Sequence, residues 1–242
     1  MKHVFLIGAM KSGTNTLYHA LASHPEVATP KKKELDYFVG PDATKPYGAY
    51  FELTPHKRMT LEGTTQYSKH PHFRHIPEAI HSLDPKSMII YLMRDPIDRY
   101  ESNIAHFMAR EPDFPVEAWR ESRKAETAMD NGRYFTQIGP YINRFGLERV
   151  FLGAFEDFIS DQANFVARVC RFLDLDARKV DLRNEKRNPR RGVRGADAFK
   201  LGADDEKCIA DGLKGEIACL EYASGMNHQQ WWSRYRKVNR DA

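Results

Sequence analysis

Residues 8–14 read GAMKSGT, a run whose residue types suit the capture of a phosphate. Glycines at both ends let the backbone turn its N–H groups inward. Lys11 adds a full positive charge, and Ser12, Thr14 and Thr16 add hydroxyl donors. A helix opening at this point contributes the partial positive charge of its N-terminus. Lys11, Ser12, Gly13, Thr14, Asn15 and Thr16 are therefore expected to hold a dianion. A second anion clamp is written at residues 94–102, RDPIDRYES. Arg94 offers a fork of donors, and Ser102, eight residues on, offers a hydroxyl. Asp95 fits either an N-cap or a brace for Arg94.

Two further groups carry proton and charge chemistry. Glu62, in LEGTTQY, ends an apolar stretch. Partial burial there raises a carboxyl pKa toward the range of a general base. Lys33, in KELDYF, offers a cation beside Tyr37 and Phe38, two aromatics able to wall a pocket. His70, His72 and His75 lie close to Glu62 in the chain, but Pro71 and their spacing fit no standard metal site, and no metal is expected. They are read as lining an acceptor cleft or facing solvent.

These groups need rigid elements beneath them. HVFLIGA reads as a buried parallel strand, and residues 13–22 as a helix stopped by Pro25. A short strand is expected near Val27, and another runs into Glu62. IPEAIHSL is a short helix. SMIIYLM and RVFLGAF are further buried strands, and a helix follows Pro96. RYFTQIGPYINRF is helical with a proline inside. Asp161 is placed to cap QANFVARVCRFLDL. Residues 111–130 are polar and irregular and read as a surface excursion. The segment from Asp204 is helical in pattern, and QQWW docks on the body. Strands alternating with helices predict an α/β, P-loop-like three-layer fold, with a central, mostly parallel sheet flanked by helices. One domain over residues 1–242 is the simplest organisation.

With these residues and elements in hand, the chain resembles the PAPS-dependent sulfotransferases, in particular the heparan-sulfate and bacterial type. KSGT resembles that family's K-[ST]-G-T, and RDPIDRYES its R-[DN]-P-x-x-R-x-x-S. The resemblance implies that the first loop binds the 5′ side of 3′-phosphoadenosine 5′-phosphosulfate (PAPS), with Lys11 at the bridging oxygen and leaving phosphate. It implies that Arg94 and Ser102 hold the 3′-phosphate. LEGTTQY resembles E-x-[ST]-x-x-Y, which makes Glu62 the base and puts Tyr67 beside the acceptor; Lys33 balances charge on the transferring group. Tyr37, Phe38, Tyr67, His70 and Tyr134 are the expected acceptor contacts. EKRNPRRGVRG is either a basic surface loop or a lid over the nucleotide. By resemblance Arg191 and Gly192 meet the 3′-phosphate, with Lys186 and Arg190 in support. The implied reaction moves a sulfuryl group to a hydroxyl, less readily an amine, and leaves adenosine 3′,5′-bisphosphate.

Composition limits the rest. At 242 residues, 41% hydrophobic and 29% charged, the chain can bury a real core without staples. Its cysteines, Cys170, Cys208 and Cys219, are expected to be reduced, as in a cytoplasmic protein. No stretch reaches the ~20 apolar residues of a membrane span. The formal charge of +4 is compatible with steering an anion, and no nucleic-acid module is present. The acceptor is a small molecule or a glycan; oligomeric state is not written in the sequence. Two other readings stand. A P-loop kinase or hydrolase needs G-x-x-x-x-G-K-[ST], whereas Lys11 precedes the second glycine. A non-catalytic nucleotide-binding protein would keep the cradle without turnover.

Overall fold

Four branched or aromatic apolar residues, Val4, Phe5, Leu6 and Ile7, are wholly buried on β1, Lys2–Gly8. Such a run suits a strand covered on both faces. β2 (Val27–Ala28), β3 (Met59–Glu62), β4 (Met88–Met93) and β5 (Val150–Ala154) complete one sheet in the order β2-β3-β1-β4-β5. All pairings are parallel, with Phe5 opposite Glu62 and Phe5 opposite Ile89. The chain crosses from β1 to the edge strand β2, returns through β3 beside β1, and then crosses to β4 on the other side of β1, so the turn after β1 lies where α/β sheets collect ligands.

The computed structural model describes residues 1–40, 44–111, 113–115, 117–182, 199–228 and 231. The chain divides into two compact units. The first comprises Met1–Met93 and Gln137–Arg187. It holds the sheet together with α1 (Thr14–Ala22), α2 (Ile76–Leu83), α6 (Phe155–Ser160) and α7 (Gln162–Leu173). Strand alternation sorts its core into two faces. Val4, Leu6, Ile90 and Leu92 join Leu17 and Leu21 of α1 and Phe165 and Val169 of α7 in one cluster. Phe5 points the other way, toward Phe38, Tyr47 and Tyr67, with ring centroids 5.6–6.3 Å away. Asp161 caps α7 by accepting from the Asn164 N–H at 3.0 Å, as its position in the sequence predicts.

The second unit comprises Arg94–Thr136 and Asn188–Ala242, of which α3 (Pro96–Arg110), α4 (Arg123–Asp130) and α8 (Ala203–Ser224) are helical. The helix α5, Tyr134–Phe145, begins here and ends among residues of the first unit's sequence. Asp95 is the N-cap of α3, accepting from the N–H groups of Ile97 and Asp98 at 2.9 and 3.1 Å. α4 falls where the sequence reads as irregular. Ser122 caps it through the Ala125 N–H, and Ala125 and Ala128 are buried, so two small residues carry its inner face. Arg99 is wholly buried and donates to Asn103 at 3.1 Å and to the Ala128 carbonyl. Trp231 is buried against Tyr134. Among the described residues, no helix is long and apolar enough to cross a membrane.

Candidate active site

The turn after β1 is built around a left-handed backbone. Lys11 and Gly13 have φ of 70° and 82°. A Cβ on Gly13 would lie 2.7 Å from the Phe155 ring, so glycine is required by conformation and by space. Ala at this position is expected to cost about 2 kcal/mol or more, lowering Tm by roughly 5 °C in a thermal melt. An unchanged Tm would contradict the described turn. Two loop amides serve the fold itself: Ala9 donates to Leu92 and Ser12 donates to Ala9. The next N–H groups begin α1, where the first turn has no partners within the helix. Its N-cap, Gly13, brings no side chain to them. The Ser12 hydroxyl is buried without a hydrogen-bond partner among the described residues. A buried orphan hydroxyl at the base of such a turn calls for an acceptor. Thr14 is buried, and Lys11, Asn15 and Thr16 are half-buried.

Glu62 ends β3, beside β1, and its carboxyl group is wholly buried. Burial pushes its pKa up from 4.5 to about 7, against the hydrogen bonds it accepts, the strongest from Tyr67 and Thr64. The Tyr67 hydroxyl donates to Oε1 at 2.6 Å and the Thr64 hydroxyl donates to the same oxygen at 2.8 Å. Oε2 has no partner among the described residues. This is the environment of a base held near neutrality. Tyr67 reaches back over five residues because a short 3₁₀ turn, Thr65–Ser68, folds it onto the strand end. Its backbone carbonyl accepts from the Tyr141 hydroxyl at 2.7 Å.

The segment 33–38 lies against Glu62's strand end. The Gly63 N–H donates to the Lys33 carbonyl at 3.3 Å, and a Cβ on Gly63 would sit 3.0 Å from Lys33 Cε. Lys33 is largely shielded; burial pulls its pKa down, opposed by the Glu34 carboxylate 3.7 Å away. Its ammonium lies 5.7 Å from the centre of the Tyr18 ring. Tyr37 and Phe38 are half-buried and pack edge to face, with Tyr47 against both. His70 exchanges two backbone-to-side-chain bonds with Gln137, each 3.2 Å. Burial, then the Arg74 charge, lowers its pKa.

In the second unit, Arg94 stands just before the capped start of α3, 3.7 Å from Asp98. The Tyr134 hydroxyl holds its backbone, donating to the Arg94 carbonyl at 2.7 Å and accepting from its N–H at 3.3 Å. Tyr134 is wholly buried, and its hydroxyl makes these two bonds to the arginine's main chain. Ser102 is half-buried on α3. Lys186, Arg190, Arg191 and Gly192 lie outside the described residues. Sequence reasoning passed over Thr64 as a partner of Glu62 and over Tyr47. The two-residue step from Glu62 to Thr64 is the signal for the first, since i and i+2 of an extended chain share a face.

The sulfotransferase domain family matches residues 1–190, and the chain belongs to that family. Mouse heparan sulfate glucosamine 3-O-sulfotransferase 3A1 is 26% identical over 186 residues, covering 72% of this chain and 46% of that protein. The chain thus spans about half the length of such relatives. A sulfotransferase from Alicyclobacillus acidocaldarius has the same fold, with a TM-score of 0.75, 21% identity, and coverage of 96% of this chain and 98% of that one. Mouse sulfotransferase SULT7A1, solved in complex with PAP, aligns with a TM-score of 0.56 at 15% identity, covering 93% and 89%.

Proposed function

We propose that this chain transfers a sulfuryl group from PAPS to a hydroxyl of a small-molecule or saccharide acceptor. The observation that carries this reading is the pairing of two features on neighbouring strands. An anion-suited turn with a buried, unpartnered Ser12 hydroxyl follows β1, and a buried carboxyl that takes both its short hydrogen bonds on one oxygen ends β3. The donor set around the turn is cationic or hydroxylic, which fits a phosphosulfate. Family membership supports the chemistry, and the matched stretch includes segments of both units, in keeping with one sulfotransferase domain.

When bound, PAPS supplies the sulfuryl group, and the bond from sulfur to the bridging phosphate oxygen is the one that breaks. Lys11, Ser12, Gly13, Thr14, Asn15 and Thr16 would hold its 5′ side, with Arg94 and Ser102 at the 3′-phosphate. Lys186, Arg190, Arg191 and Gly192 belong to the same assignment by sequence alone. Glu62 takes the proton of the acceptor hydroxyl as its oxygen becomes nucleophilic. Lys11 and Lys33 offset negative charge on the leaving side. Tyr37, Phe38 and His70 are assigned to the acceptor, with Tyr67 and Tyr134 supporting the base and the arginine. The names of the heparan sulfate relatives favour a saccharide hydroxyl, and the aromatic surface of Tyr37 and Phe38 accepts a sugar ring or a phenol equally.

A thermal-shift comparison tests the nucleotide assignment. Adenosine 3′,5′-bisphosphate at a hundred times its Kd is expected to add about 2.7 kcal/mol and raise Tm by several degrees. ATP with magnesium should do clearly less. An equal or larger effect of ATP would favour a phosphoryl-transfer enzyme instead.

A further inference from the structure

Resting on Glu62 as the base, we propose that Thr64 and Tyr67 are positioning residues that make Oε1 of Glu62 a permanent acceptor, so that the acceptor's proton is delivered to Oε2. The argument begins with the direction of two hydroxyl rotors. A backbone N–H can only donate. The Phe38 N–H donates to the Tyr67 hydroxyl at 3.3 Å, and the Asp36 N–H donates to the Thr64 hydroxyl at 3.4 Å. Each hydroxyl oxygen is thereby an acceptor on one side, and its hydrogen is directed at the other. On that other side both meet the same carboxyl oxygen, Oε1, at 2.6 and 2.8 Å. Two forced donors leave Oε1 no room for a proton. Oε2, buried and without a partner among the described residues, is the oxygen left to receive one.

The same arrangement ties the segment that carries Lys33 to the base. Two of its amides set the hydroxyls, and the Lys33 carbonyl accepts from Gly63. The ionisable groups around Glu62 are Tyr67, Asp36 on this segment, Tyr47 on the turn 47–50, and Tyr18 of α1, whose ring lies near the Lys33 ammonium. Tyr18, Tyr47 and Tyr67 are themselves pushed up, first by burial and in part by the Glu62 charge, so all three stay neutral. Hydrogen bonds to the ionised form favour it. Tyr67 and Thr64, with a smaller contribution from the Tyr47 hydroxyl, therefore hold down a proton affinity that burial would otherwise raise further.

The test is an infrared-detected pH titration of the Glu62 carboxyl in the whole chain, its band identified by loss in E62Q. Y67F and T64V each should raise the midpoint by roughly one pH unit, a tenfold gain in proton affinity. T64S, which restores the hydroxyl, should return it to the wild-type value. Midpoints unmoved in both Y67F and T64V would overturn the proposal. T64V is close to isosteric and carries the test should Y67F fold poorly. Turnover by E62Q decides the base reading separately. An active E62Q would remove the base, while shifted midpoints would still support the two-hydroxyl assignment.

Discussion

E62Q is expected to lose about a thousandfold in kcat while binding adenosine 3′,5′-bisphosphate as wild type does, because positioned general bases contribute 10²–10⁴. The substitution keeps shape and removes only the ability to take a proton. Stability should move the other way. The unfolded chain ionises Glu62 near 4.5 and the folded chain near 7. Below about pH 4 both states are protonated and the residue adds no pH-dependent term. Between about pH 4.5 and 7 the unfolded chain ionises while the folded carboxyl keeps its proton, so stability falls by about 3 kcal/mol across that window and levels off above it. E62Q should therefore melt no lower than wild type at pH 8. Wild-type turnover should rise on the acid side with a midpoint near the same pH. Chemical-denaturation curves at pH 4 and pH 8, with turnover across the range, check both halves. Undiminished turnover would remove Glu62 from the base role.

K11A carries the second large effect. Lys11 stands in a turn whose other donors are neutral, and it contributes a full charge where a leaving phosphate gains one. Removing an electrostatic donor of this kind costs about 10²–10³ in rate. A comparable weakening of bisphosphate binding is expected, because the lysine meets the phosphate in the product state as well. Isothermal titration and single-turnover rates separate the two losses. A K11A chain that binds and turns over normally would show that the turn has another purpose. K11R should recover part of the binding and little of the rate, since the guanidinium keeps the charge but not the ammonium's compact placement.

The strands and the ends of strands were legible in the sequence, because a continuous branched apolar run broken by glycine has few other structural meanings. The turn at residues 8–14, Glu62 at a strand end, and the Asp95 and Asp161 caps follow from such local grammar. Other roles were out of reach because they depend on partners distant in sequence. Tyr67 reads as one more aromatic near an acceptor until the 3₁₀ turn folds its hydroxyl onto Glu62. Tyr134 reads by resemblance as an acceptor contact on a helix, yet its hydroxyl grips a main chain 40 residues away. Arg99 is ambiguous in the sequence beside Arg94; it is buried against a carbonyl of α4, a helix whose inner face of two alanines gives almost no periodic signal.

Transfer of label from PAPS carrying ³⁵S tests the central claim most directly. Wild-type chain should move the label to a hydroxyl-bearing acceptor from a panel of saccharides, phenols and alkanols, releasing one bisphosphate per sulfate transferred, and E62Q should not. Tight bisphosphate binding with no label transferred to any of the panel would contradict the account and leave a nucleotide-binding protein in its place.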